Sequence, residues 1–138
     1  MKAVKTVSLA KQYKNITAVD DLSFEISKGE LFSLLGVNGA GKTTTIKMLT
    51  CLTQPSNGNA YIFGHSIIND SNQIKGLIGV SPQETAIAPN LTVEENLELI
   101  CGINGFPKEK TRERINELSK QFSLGDILKR KAGKLSGG

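Results

Sequence analysis

The 138-residue sequence contains no tryptophan, one histidine and two cysteines. Cys51 and Cys101 have neither metal-ligand spacing nor a partner pattern, so we expect them to be reduced and to behave as small apolar residues. No apolar run approaches the roughly 18 residues that a membrane-spanning helix needs, and early lysines interrupt any signal-peptide core. These scarcities exclude a disulfide scaffold and an integral membrane protein, and they predict a cytoplasmic one.

Acidic charge is scarce toward the C-terminus. The net charge is +4, and the basic excess lies in residues 104–138. A basic tail is compatible with binding to nucleic acid or to an anionic membrane surface, but aromatic residues are not interleaved with these charges, and glutamates at 109, 113 and 117 interrupt the run. We therefore expect a solvated helix face and no nucleic-acid partner. Ordinary composition, without repeats or low-complexity segments, predicts one globular domain or part of one.

Strand patterns dominate the first part of the chain. Alternating residues at Ala3–Ala10 and Ala18–Ile26 predict a half-buried antiparallel pair. The short apolar runs Leu31–Leu35 and Leu77–Val80 are typical of strands buried on both faces. A further strand is predicted at Ala60–Phe63.

Helical patterns take over later in the chain. A helix is expected from Lys42 to about Leu52. Thr92 and Glu95 have the spacing of a capping box, so a second helix should run to about Ile100. Its expected buried positions are Val93, Leu97 and Ile100. After Pro107 a third helix is predicted, with Ile115, Leu118 and Phe122 on one stripe. We place a subdomain boundary between a mixed part, residues 1–90, and a helical part, residues 91–138.

The most specific motif is the run G-V-N-G-A-G-K-T, which fits G-x-x-x-x-G-K-[ST] and lies between a predicted strand and a predicted helix. Its glycines allow consecutive backbone N–H groups to face one anion, and the helix adds its positive N-terminal dipole. Lys42 supplies a charge for the β and γ phosphates, and the Thr43 hydroxyl is placed to bind Mg²⁺. The alternative is a glycine-rich turn that only caps a helix. The residues predicted to bind the nucleotide are Gly36, Val37, Asn38, Gly39, Ala40, Gly41, Lys42, Thr43 and Thr44.

A second motif, L-S-G-G, closes the sequence. Its hydroxyl and unshielded amides suit a phosphate oxygen. Taken alone it is equally typical of a flexible terminal loop. Its occurrence 94 residues after Lys42 gives it more weight. Its members are Leu135, Ser136, Gly137 and Gly138.

With both motifs present, the whole chain resembles the ABC transporter ATPases, whose signature opens with L-S-G-G and whose phosphate loop reads G-x-N-G-A-G-K-T-T. The resemblance implies an α/β fold, a P-loop NTPase of ABC ATPase type. It would have an N-terminal antiparallel β part, a phosphate-loop α/β core that is incomplete in this chain, and a helical subdomain. ATP and Mg²⁺ are the implied cofactors.

Two more residues gain a role through the resemblance. Gln83, after Val80-Ser81-Pro82, is similar to the Q-loop glutamine that reaches Mg²⁺ and the attacking water; by itself it would be an ordinary loop residue. Tyr13 resembles the aromatic residue that stacks on adenine, with a strand-end tyrosine as the alternative. The resemblance thus assigns supporting catalytic roles to Lys42 and Gln83, and metal binding to Thr43 and Gln83.

The family's Walker B carboxylates and switch histidine would follow the signature, and none is among these 138 residues. His65 precedes the Q-loop and is expected to be an exposed turn residue. The chain by itself is therefore expected to turn over no ATP. The resemblance also implies that the strands flanking Leu31–Leu35 in the family's sheet are absent from these 138 residues, and the unpaired edges are expected to favour self-association.

The resemblance also implies partners. Two ATP-binding subunits would pair head to tail, with Ser136, Gly137 and Gly138 of one facing the nucleotide on Gly36–Thr44 of the other. A membrane-spanning permease subunit would dock on this pair at the inner face of the cell membrane. The run Thr43–Leu49 resembles the subgroup that exports drugs, antibiotics or lipids.

Three other functions share some of these motifs. DNA-repair or chromosome-organising ATPases carry both motifs but insert long coiled coils between them, and no heptad array is present here. A small-molecule kinase would leave the Gln83 and Leu135–Gly138 matches unexplained. A nucleotide-binding module without catalysis describes the 138-residue chain most literally.

Overall fold

The computed structural model of the chain describes residues 1–81 and 86–136. They fall into two compact units, the first within residues 1–81 and the second within residues 82–138. The predicted subdomain division at residues 90 and 91 stays a prediction. None of the helices in the described residues is long and apolar enough to cross a membrane. Both cysteines are free, and burial raises the pKa of the Cys51 thiol.

A five-stranded antiparallel sheet forms the frame of the first unit. Its strands are β1 (Lys2–Tyr13), β2 (Ile16–Leu22), β3 (Glu25–Ser27), β4 (Asn57–Ile62) and β5 (His65–Ser66). They lie in the order β2-β1-β4-β5, with β3 also paired to β1. Leu9 pairs with Leu22, and Tyr13 pairs with Ile16 across the hairpin. The predicted antiparallel pair is therefore confirmed, as is the strand predicted near residue 60.

Helices α1 (Lys42–Leu49) and α2 (Ser71–Leu77) complete the first unit. Met48 of α1 and Ile74 of α2 are fully buried in one apolar cluster with side chains of the sheet. Each such burial contributes about 1.5–3 kcal/mol. The other members of the cluster are Leu9, Val19, Ala60, Ile62 and Ile67. Because Met48 faces this cluster, the core fixes the direction in which α1 leaves the preceding loop.

Two predicted strands are wrong. Residues 31–35 form no strand, and Leu31 and Leu35 are 98% and 88% exposed. Leu77 instead ends α2, and Val80 is half-exposed outside any regular element. A strand buried on both faces needs hydrogen-bonded neighbours, and among the described residues no backbone hydrogen bond joins Leu31–Leu35 to another segment.

The second unit contains α3 (Val93–Ile103), α4 (Lys108–Gln121) and a 3-10 helix (Ala132–Lys134). The predicted capping box is confirmed: Glu95 N–H donates to Thr92 Oγ1 at 3.2 Å, and Thr92 N–H donates to Glu95 Oε2 at 2.7 Å. The Thr92 N–H also lowers the pKa of the Glu95 carboxyl.

Several predicted positions need correction. Val93 and Leu97 are half-buried and Ile100 is half-exposed, because the buried side of α3 centres on Cys101. Phe122 is 61% exposed, because it caps the C-terminus of α4 and lies beyond the stripe that buries Ile115. His65 is half-buried in β5 and is not an exposed turn residue, because it pairs with Ile62.

Candidate phosphate-binding site

The loop of residues 36–41 joins the exposed segment 31–35 to the N-terminus of α1. Gly41 caps the helix in the left-handed conformation, with φ of 82°. Its carbonyl accepts the backbone N–H of Thr45 at 2.8 Å and the Thr45 hydroxyl at 2.9 Å. Inside the loop, Ala40 N–H donates to Val37 O at 3.1 Å. The first turn of α1 thus starts directly from the last glycine of the motif.

Gly41 also brings the loop against β2. A Cβ atom built on Gly41 would lie 2.2 Å from the carbonyl oxygen of Ala18 and 3.0 Å from Val19 Cγ2. Only a residue without a side chain permits this approach. The antiparallel sheet therefore supports the phosphate loop from one side.

The Lys42 ammonium lies across the loop. Its Nζ donates to the carbonyl of Val37 at 2.7 Å and also to the carbonyl of Gly36. An ammonium has three donors, so one N–H remains for a ligand when both carbonyls are engaged. The loop carbonyls hold the charge beside the helix N-terminus, where an anion is favoured.

A cavity of about 230 Å³ opens beside Lys42. Typical sites for drug-sized ligands are larger, about 300–1,000 Å³, so this space suits part of a ligand such as a phosphate group. Its lining residues come from β2, from residues 34–40 before α1, and from α1 itself: Ala18, Val19, Asp20, Leu22, Leu34, Leu35, Ala40, Lys42 and Thr45. Thr43 is exposed in the first turn of α1, and Thr44 is half-buried.

Tyr13 ends β1 and is 45% exposed. The Lys11 ammonium lies 5.1 Å from its ring centroid and donates to Gln54 O at 2.6 Å. Tyr13 pairs with Ile16, and Ala18 follows two residues later on β2, roughly 7 Å along the strand. Tyr13 therefore lies at the same end of the β1–β2 hairpin as Ala18, whose carbonyl Gly41 approaches.

Two of the remaining predicted site residues are described in the second unit. Leu135 is half-buried after the 3-10 helix, and Ser136 is exposed. Gln83, Gly137 and Gly138 lie outside the described residues. Among the residues that are described, no group of three His, Cys, Asp or Glu side chains could hold a metal ion.

The sequence model described as ABC transporter matches residues 19–138. The chain belongs to this family. The match includes both the phosphate loop and the L-S-G-G run, so the predicted ABC resemblance is confirmed.

Individual ABC relatives agree with this assignment. The chain is 37% identical over 137 residues to the daunorubicin/doxorubicin resistance ATP-binding protein DrrA of Streptomyces peucetius, covering 99% of this chain and 42% of that protein. It is 42% identical over 123 residues to a doxorubicin resistance ATP-binding protein DrrA of Mycobacterium tuberculosis, covering 89% of this chain and 37% of that one. The chain thus spans about two fifths of the length of these relatives. Their names agree with the predicted exporter subgroup.

Solved structures confirm the predicted fold class, an α/β P-loop NTPase of ABC type. The ATP-binding subunit of an ABC transporter superposes with a TM-score of 0.80 at 27% identity, over 97% of this chain and 56% of that one. A nucleotide-free ATP-binding cassette gives a TM-score of 0.79 at 27% identity, over 99% and 60% of the two chains.

Three contributors to this ABC chain's architecture were missed by sequence reasoning. Ala18 supports Gly41 through its backbone carbonyl, and such a contact leaves no signal in residue type. Thr45 is buried and bonds to Gly41 O; its position four residues after Gly41 is the only available clue. Asn96, in α3, forms several hydrogen bonds to the segment before the helix.

Proposed function

We propose that the chain binds the phosphates of Mg-ATP through residues 36–44 and serves as the ATP-binding subunit of an exporter. The Lys42 ammonium supports the phosphate-binding part of this proposal, because it is held across the loop with a donor to spare. A phosphate would accept a hydrogen bond from the remaining N–H of Lys42 and others from backbone N–H groups at the N-terminus of α1. Each charge-assisted hydrogen bond contributes about 1.5–3 kcal/mol.

Magnesium would enter with the nucleotide. Mg²⁺ keeps several waters and usually takes only one or two protein ligands beside phosphate oxygens. The hydroxyl of Thr43, which is exposed and follows Lys42 in the first turn of α1, fits one such position. Gln83 is the second ligand that we propose, and with Lys42 it would support catalysis. Bound Mg²⁺ supplies neutralisation of charge on the β and γ phosphates.

The wider assembly is also a proposal. The relatives' names refer to resistance to daunorubicin and doxorubicin, so we propose a drug-like or lipid-like export substrate. Two subunits would pair head to tail, with Leu135–Gly138 of one facing the nucleotide of the other. A membrane-spanning permease subunit would receive the motion at the inner face of the membrane. We also propose that the subunit consists of a mixed subdomain, residues 1–90, and a helical subdomain, residues 91–138.

The 138-residue chain should bind ATP without hydrolysing it. Phosphoryl transfer needs carboxylates that hold the metal and orient water, and the resemblance places both after Gly138. Calorimetric titration with Mg-ATP should show binding, and a phosphate-release assay should show none above the background of Lys42→Ala. Phosphate release by the unaltered chain that Lys42→Ala lacks would contradict the inactivity.

Tyr13 should contribute to recognition of the base. Stacking of a base on an aromatic ring is worth about 1–3 kcal/mol, and Tyr13 lies at the hairpin end that supports the phosphate loop. Tyr13→Ala should lower the affinity for ATP by about fivefold to a hundredfold. The affinity for inorganic triphosphate should be unchanged. Tyr13→Phe keeps the ring and should bind ATP normally. Equal losses for ATP and triphosphate would disprove the stacking role.

A further inference from the structure

Asn96 links α3 to the segment before it. Ala88 N–H donates to Asn96 Oδ1 at 2.8 Å, and Asn96 Nδ2 donates to Ala88 O at 3.0 Å and to Thr92 O at 2.9 Å. A longer contact of 3.4 Å reaches Leu91 O. The side chain is half-buried, and both ends of its amide are used. Asn96 therefore fixes the path of residues 88–92.

Residues 89–94 are in turn bonded to the segment that leads to the L-S-G-G run. Thr92 and Lys131 form an antiparallel bridge, and Lys129 pairs with Glu94. Four backbone bonds join the two segments: Glu94 N–H to Leu128 O at 3.0 Å, Val93 N–H to Arg130 O at 3.0 Å, Ala132 N–H to Leu91 O at 2.9 Å and Gly133 N–H to Pro89 O at 3.0 Å. We call these the connecting bonds.

The connecting bonds reach the start of the 3-10 helix. Ala132 is buried, and Leu135 N–H donates to its carbonyl at 3.1 Å. A Cβ atom on Gly133 would lie 2.8 Å from Pro89 Cβ, so the two segments are also in steric contact there. Ser136 is the next residue after Leu135. A displacement of residues 88–92 would therefore be transmitted to Ser136 within three or four residues.

We propose that Asn96 is a positioning residue for Ser136, acting through residues 88–92 and the connecting bonds. A purely local role for Asn96 would be to bond to the carbonyl four residues earlier in its own helix, Thr92 O, which serine side chains also do. The bonds to Ala88 have no such local explanation, because Ala88 lies outside the helix. The consequence for a nucleotide on a second subunit rests on the proposed function, whereas the positioning itself does not.

Amide hydrogen exchange in the full ¹⁵N-labelled chain tests the proposal. In Asn96→Ala, the amides of Ala132 and Gly133 should exchange about tenfold faster or more, because their acceptors are no longer held in place. The resonances of Leu135 and Ser136 should shift. In α4, the amide of Thr111, bonded to Pro107 O, should keep its exchange rate. The matched control is Asn116→Ala, an exposed asparagine of α4.

Two further variants separate positioning from general stability. Asn96→Ser keeps a donor for Thr92 O but loses Ala88, so it should behave like Asn96→Ala. In the reverse direction, Gly133→Ala pushes on Pro89 and should speed exchange of the Ala88 amide. The proposal would be overturned if the amides of Ala132 and Gly133 exchanged at the wild-type rate in Asn96→Ser. It would also be overturned if Asn96→Ala accelerated exchange throughout α4 as much as at Ala132 and Gly133.

Nucleotide binding is measured separately from hydrogen exchange. At concentrations where the chain is monomeric, the calorimetric affinity for Mg-ATP should be unchanged in the Asn96 variants, because the phosphate loop lies in the first unit. Loss of ATP binding in Lys42→Ala with normal exchange at Ala132 would leave the positioning role intact. Failure of the chain to bind ATP would count against the proposed function alone.

Discussion

Lys42→Ala is expected to lower the affinity for Mg-ATP by roughly a hundredfold, or about 3 kcal/mol. The substitution removes the donor that would meet the phosphates, and it also removes the bonds that hold Gly36 O and Val37 O. Calorimetric or fluorescent-nucleotide titration measures the loss.

Matched variants separate charge from structure. Lys47→Ala removes an exposed lysine from the last turn of the same helix and should leave the affinity unchanged. Lys42→Met keeps most of the aliphatic stem but no charge, so it should bind as poorly as Lys42→Ala. Affinity in Lys42→Met close to that of the unaltered chain would show that the ammonium does not contact the nucleotide.

The parts of the fold that sequence reasoning predicted correctly depend on local patterns. The β1–β2 hairpin follows from alternation over a few residues, and both capping-box bonds follow from Thr92 and Glu95 at their fixed spacing. The loop at residues 36–41 likewise lies before α1, as its glycine spacing predicts. In each case the determining residues are close together in the sequence.

The errors concern partners that a local pattern does not contain. The apolar composition of Leu31–Leu35 predicts a buried strand, but a strand requires hydrogen-bonded neighbours. Among the described residues, no other segment is joined to Leu31–Leu35 by backbone hydrogen bonds. The strand predicted at Leu77–Val80 is wrong because Leu77 is the last residue of α2.

The candidate site likewise has features that the local sequence predicts and features that depend on distant residues. The motif predicts which residues surround a phosphate, but it contains no information about what holds the loop in place. Gly41 meets Ala18 across 23 positions, and the contact involves a backbone carbonyl that every residue type possesses. Residues that position a site from a distance are therefore the ones that a motif omits.

That contact gives the prediction with the largest effect on stability. Gly41→Ala places a methyl group against Ala18 O, at a φ of 82° that alanine adopts at a cost of about 1–2 kcal/mol. Overpacking adds about 1–3 kcal/mol. Because whole domains are stable by only about 5–15 kcal/mol, this change should sharply lower the urea midpoint.

Gly39→Ala is the matched control for Gly41→Ala. Gly39 has nearly the same φ, 85°, but nothing lies within 4 Å of a Cβ built there. It should lose only the conformational part, about 1–2 kcal/mol, so Gly41→Ala should be the less stable variant by about 1–3 kcal/mol. Urea unfolding followed by circular dichroism gives both values. A Gly41→Ala chain that fails to fold where Gly39→Ala folds is the same result in a stronger form, whereas equal midpoints would show that β2 does not support the phosphate loop.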